Sequence, residues 1–66
     1  MVRNLLRSFM AKYGDTNDTL AQALNISYGA FSQKINGHRP FTQTEIKATI
    51  ERYNLDADDV QKIFFT

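Results

Sequence analysis

The stretch from Leu20 to Gly37, LAQALNISYGAFSQKING, spaces its apolar residues so as to lock two short helices together across a tight turn. Leu20, Ala21 and Leu24 line one side of a first helix, and Phe31 and Ile35, four apart, line one side of a second. Ile26 fills the corner, and the small side chain of Ala21 permits a close crossing. Asn25 tolerates the left-handed backbone that such a turn requires better than any residue except glycine. Ser27 is the expected cap of the second helix, with Ile26 before it and Phe31 as the fourth helical residue forming a hydrophobic staple. The pattern predicts a helix-turn-helix, which makes double-stranded DNA the leading partner.

The rest of the chain predicts three more helices. Val2, Leu5, Leu6, Phe9, Met10 and Tyr13 recur at helical spacing, giving an amphipathic helix over residues 2–13 that Gly14 stops. Thr16 is the expected cap of the next. Past the loop Gly37-His38-Arg39-Pro40, Thr42 and Glu45 have the spacing of a capping box, and Phe41 with Ile46 supplies the staple. Ile46, Ile50 and Tyr53 then face inward until Asn54 ends the helix. Leu55-Asp56-Ala57-Asp58-Asp59-Val60 repeats the cap and staple, with acids where the helix dipole favours them, and opens a fifth helix to about Phe64. Strand patterns, linkers, repeats and low-complexity tracts are absent. The expected fold is all-α, a compact five-helix domain over residues 1–66 with the helix-turn-helix in helices two and three.

Sixty-six residues suffice for one core but not two, and a core this small supplies only a few kcal/mol, so help from a partner is expected. With no cysteine there is neither a disulfide nor a thiolate metal site, and a reducing cytoplasm is the expected setting. The longest apolar run is too short to span a membrane, and Met1-Val2-Arg3-Asn4 lacks a secretory apolar segment. The net charge of +1 says little, but its distribution says more. Residues 19–44 hold Lys34 and Arg39 and no acid, and residues 1–18 carry Arg3, Arg7 and Lys12 against Asp15 and Asp18. From residue 45 onward Glu45, Glu51, Asp56, Asp58 and Asp59 outweigh Lys47, Arg52 and Lys62. A basic front and acidic back suit a one-sided DNA binder, although ordinary solvated surface charge reads the same way. A single histidine, no Gly-rich phosphate loop and acids already explained by capping argue against an enzyme. No cofactor, metal or small-molecule substrate is expected.

The whole chain resembles the small helix-turn-helix domain of phage Cro proteins and phage repressors, the XRE family. The resemblance rests on Leu20-Ala21-x-x-Leu24-Asn25-Ile26-Ser27 and on Phe31-Ser32-Gln33-Lys34-Ile35-Asn36-Gly37-His38-Arg39-Pro40-Phe41-Thr42, which match in type and spacing. Two positions depart from it. Asn25 stands where glycine is usual, and Gly29 costs roughly 1 kcal/mol against alanine within a helix. The missing side chain at Gly29 would also let the backbone approach a thymine methyl or a phosphate. The resemblance is closer to a Cro-type repressor than to a full-length inducible phage repressor. It implies a transcriptional regulator that binds an inverted-repeat operator.

Helix geometry turns residues 28, 29, 32 and 33 outward and residues 31 and 35 inward. Tyr28, Gly29, Ser32 and Gln33 are therefore the expected base readers. Gln33 suits a bidentate contact to an adenine edge, Tyr28 a bond to a base or phosphate with packing on a thymine methyl, and Ser32 either role. Tyr28 as an amphipathic surface aromatic and Gln33 as part of a solvated face are alternative readings. The resemblance implies phosphate contacts at Asn17, aided by free amides at that helix start, and at Asn36. Lys34, His38 and Arg39 are expected to add charge to the same strand. Asn36-Gly37 also reads as a helix stop, and His38 as an exposed loop residue.

At the C-terminal end Val60, Ile63 and Phe64 share a stripe that also suits covering the core, yet two adjacent aromatics do not both turn inward easily. Ile63, Phe64 and Phe65 are thus the expected dimer interface, giving a homodimer at least on DNA. The alternative reading is a protein-interaction module of the same fold, antirepressor or antitoxin-like. Such a module would be expected to show an apolar outward face on helix three, whereas Gly29, Ser32, Gln33 and Lys34 favour DNA.

Overall fold

Four of the helices begin where a short oxygen-bearing side chain stands ready to accept a backbone amide. In the computed structural model, which describes residues 3–65, Thr16, Ser27, Thr42 and Asp56 each sit in extended backbone. Each accepts a hydrogen bond from the amide three residues on, at Thr19, Ala30, Glu45 and Asp59. These caps start α2 (Asn17–Ala23), α3 (Tyr28–Ile35), α4 (Gln43–Tyr53) and α5 (Ala57–Phe64), which follow α1 (Arg3–Lys12). The expected box of Thr42 with Glu45 forms, and reciprocal boxes also form between Thr16 and Thr19 and between Asp56 and Asp59. Val2, expected in the first helix, lies outside the described residues.

The helix stops are equally local. Gly14, Asn25, Gly37 and Asn54 all have positive φ, from 52° to 83°, and follow α1, α2, α3 and α4 in turn. After α3 the amide of His38 donates to the Gln33 carbonyl at 2.8 Å and that of Gly37 to Lys34 at 3.2 Å, a Schellman turn. The same turn recurs after α2, where Ile26 donates to Ala21 and Asn25 to Gln22, both at 3.0 Å. Asparagine carries the left-handed conformation at little cost, so residues 24–27 suffice to join α2 to α3.

The core consists of Leu6, Met10, Leu20, Ala21, Leu24, Phe31, Ile35, Tyr53, Leu55 and Ile63, with Ile26, Phe41, Val60 and Phe64 packed against it. Two aromatic groups mark its ends. Phe41 meets Phe31 at 6.4 Å and Phe64 edge-on at 5.4 Å, while Tyr53 lies 6.1 Å from Phe9 and 5.0 Å from Tyr13. The result, among the described residues, is a compact all-helical domain of five helices without strands. None of these helices is long and apolar enough to cross a membrane.

Asp15, to which the sequence pattern assigns no role, ties the α1–α2 junction to the end of α4. Its side chain is only 4% exposed and accepts from Arg52 Nε at 2.8 Å, Arg52 Nη2 at 2.6 Å, the Tyr53 hydroxyl at 2.6 Å and the Thr19 hydroxyl at 2.9 Å. The hydrogen bonds from Arg52, joined by those from Tyr53 and Thr19, outweigh burial and hold this carboxyl well below the usual carboxylate range. Burial, with the bond to Asp15, pushes the Tyr53 phenol up.

Candidate nucleic-acid interface

The orientation of α3 is fixed by its buried residues. Phe31 is 0% and Ile35 1% exposed, and with them inside, the opposite side presents Tyr28, Gly29, Gln33 and Asn36 to solvent. Tyr28, the first residue of α3, is 54% exposed, and Ser32 is half-buried at the edge of this face. Three of the four expected base readers thus share one open surface, and the fourth borders it.

Lys34 corrects the reading of α3. The sequence pattern puts it on the outward face as a phosphate-holding cation, but its side chain is 7% exposed and its ammonium donates to both carboxylate oxygens of Glu45 at 2.6 Å. Positions 31, 34 and 35 lie at i, i+3 and i+4, so Lys34 shares the buried side. Glu45 Oε1 also accepts the Thr42 amide at 2.9 Å, so a single carboxylate caps α4 and neutralises α3. Burial pushes the Glu45 carboxyl up, but the hydrogen bonds from Lys34 and Thr42 prevail and set it below its ordinary value. The positive charge beside α3 therefore comes from the loop after it.

In that loop His38 and Arg39 are both exposed. Arg39 Nη1 reaches the side-chain oxygen of Gln33 at 3.4 Å, and its amide donates to the Gln33 carbonyl at 3.3 Å. Arg39 is thus folded back along α3 beside the expected adenine reader. Asn36 is exposed and approaches the Ser32 hydroxyl at 3.5 Å. Asn17, the first residue of α2, is half-buried in a shallow depression of about 160 Å³ that Arg7, Met10, Ala11, Asp15 and Thr16 also line. Arg7 is exposed there, a cation beside Asn17 that sequence reasoning counts in the charge but not in the site. Its spacing from Phe9 and Met10 on an amphipathic helix is the signal that could have found it.

The expected dimer residues separate. Ile63 is 0% exposed, because the inward stripe of α5 packs it into the core facing α1; its assignment to an interface is corrected. Phe64 is half-buried against Phe41, and Phe65 is 61% exposed. Both line a groove of about 420 Å³ whose other walls include His38, Arg39, Pro40, Phe41 and Ile46. The apolar C-terminal patch and the loop after α3 that carries His38 and Arg39 are therefore neighbours, which their distance in sequence conceals.

Residues 2–66 match the model of a family described as Protein of unknown function (DUF739). No curated protein and no solved structure matches the chain.

Proposed function

The chain belongs to the DUF739 family, whose model spans residues 2–66, and we propose that it is a sequence-specific transcriptional regulator that binds double-stranded DNA through a helix-turn-helix formed by α2 and α3. The observation that carries this reading is the outward face of α3. It sets an exposed tyrosine, a bare backbone position and an exposed glutamine on one side of a short helix whose other side is sunk in the core. A helix so anchored enters a major groove as a rigid edge. Gln33 accepts from Arg39 with one lone pair of its side-chain oxygen, which leaves the second lone pair and the amide hydrogens for the N6 and N7 edge of adenine. Tyr28 meets a base edge or a thymine methyl one turn earlier.

Phosphates on one side of the groove meet Asn36, His38 and Arg39, and those on the other side meet Asn17 and Arg7. Lys34 acts differently in this reading, as the strut that fixes α3 against α4. One recognition helix reads too few bases for a unique site, so the regulator acts as a two-fold dimer, with Phe65 and the half-buried Phe64 in the contact. Binding of this kind excludes other proteins from the same DNA, as in Cro-type repression. Selection from a random-sequence duplex library tests the proposal. Enrichment of a defined inverted repeat is expected, and a library that emerges unchanged at low salt would refute DNA reading and favour a protein-interaction module.

A further inference from the structure

Of the three glycines, Gly14 and Gly37 adopt φ of +75° and +83°, conformations that account for glycine by themselves. Gly29 does not. Its φ lies outside the left-handed region, and beyond its chain neighbours and the nearby backbone of its own helix a Cβ built on it meets nothing within 4 Å. Neither backbone geometry nor packing calls for glycine at the second position of α3, where glycine has the poorest helix propensity of any residue except proline. A residue that weakens its own helix and relieves nothing inside the molecule has its use outside it. Its neighbours on the open face are Tyr28, 54% exposed, and the Ser32 and Gln33 positions one turn on.

We infer that Gly29 is a close-approach position, at which a base edge of the operator comes into van der Waals contact with the α3 backbone in the space a Cβ would fill. This inference rests on the DNA-binding reading above. Without a side chain at 29 the first turn of α3 sits deeper in the groove, so the Tyr28 ring and the Gln33 amide reach base edges instead of stopping at the groove wall. Gly29 is in this sense a specificity-determining residue that acts by shape. An alternative use of glycine, loosening α3 so that it adapts on binding, makes a different ranking of substitutions. Side-chain volume rises from alanine to serine to valine, whereas helix propensity is greatest for alanine and lower for serine and valine.

The experiment compares the full chain with Gly29→Ala, Gly29→Ser and Gly29→Val on the duplex that the wild-type chain selects and on a random-sequence duplex of equal length. All three variants should melt at or above the wild-type temperature, because each has a better helix propensity than glycine and a Cβ meets nothing. Affinity for the selected duplex should fall at least about tenfold for alanine and further for serine and valine, while affinity for random duplex changes by less than about threefold. Destabilisation by alanine would show that the fold itself needs the glycine and would overturn the inference. Undiminished operator affinity, equal losses on both duplexes, or the greatest loss for alanine would also overturn it. A wild-type chain that selects no sequence would instead defeat the DNA-binding reading on which the inference stands.

Discussion

Gln33 and Lys34 are adjacent in sequence and opposite in the fold, and the difference decides what their removal does. Gln33→Ala deletes an exposed amide, so it should cost about 1–3 kcal/mol on the selected duplex and relax one base position, with little change in stability. Equal losses on selected and random duplex in a titration would contradict the role of Gln33. Lys34→Ala leaves the Glu45 carboxylate buried without its cation and should destabilise the fold by about 3–5 kcal/mol, measured by urea unfolding. The salt dependence of DNA binding should be lowered by Arg39→Ala instead, by about one unit of slope. Residue types and helical spacing suffice to place Tyr28, Gly29 and Gln33 on the open face. They do not reveal Lys34 or Asp15, because the partners lie 11 residues away for Lys34 and as far as 38 for Asp15, and charge pairing across a core has no local signature. Glu45 already has an explanation as a cap, which conceals its second bond.

At the scale of elements, caps, stops and staples act over three to five residues, so the helix starts at Thr16, Ser27, Thr42 and Asp56 and the stops at Gly14, Asn25, Gly37 and Asn54 are legible in the amino-acid sequence. The first helix runs over residues 3–12 among the described residues, against the 2–13 that its apolar spacing predicts. How α5 sits cannot be read locally. The stripe of Val60, Ile63 and Phe64 suits either core or interface, and only packing against α1 assigns Ile63 to the core. The α2–α3 pair depends most on Phe31, which is fully buried and lies under Phe41. Phe31→Ala should cost about 3–5 kcal/mol, comparable to the whole stability of a domain this small. A cooperative thermal melt near that of the wild type would show that the pair does not rest on Phe31.

In the molecule as a whole, among the described residues, Asp15 and Glu45 have nearly buried side chains, and both carboxyls are held below their ordinary values. A depressed carboxyl stabilises the fold fully above its unfolded pKa of about 4 and progressively less as pH falls through and below it. Urea midpoints should therefore stay level from roughly pH 7 to pH 5 and fall steeply below about pH 4, and Asp15→Asn should flatten that acid limb. An unchanged limb in the variant would mean that the Arg52 and Tyr53 bonds carry no pH-dependent stability. The Cα framework measures 27 × 24 × 20 Å, the same order as the roughly 34 Å that separates successive major grooves on one face of DNA, so the proposed dimer is expected to match half-sites one helical turn apart. Sedimentation with the selected duplex should give two protomers per site, and Phe65→Ala should weaken operator binding more than monomer stability. The claim that the open face of α3 reads DNA is tested most directly by amide NMR of the labelled chain titrated with the selected duplex. Shifts are predicted to concentrate at Asn17, Tyr28, Gly29, Ser32, Gln33, Asn36 and Arg39 and to spare the acidic start of α5 at Asp58 and Asp59; shifts centred on α4 and α5, with α3 unmoved, would contradict it.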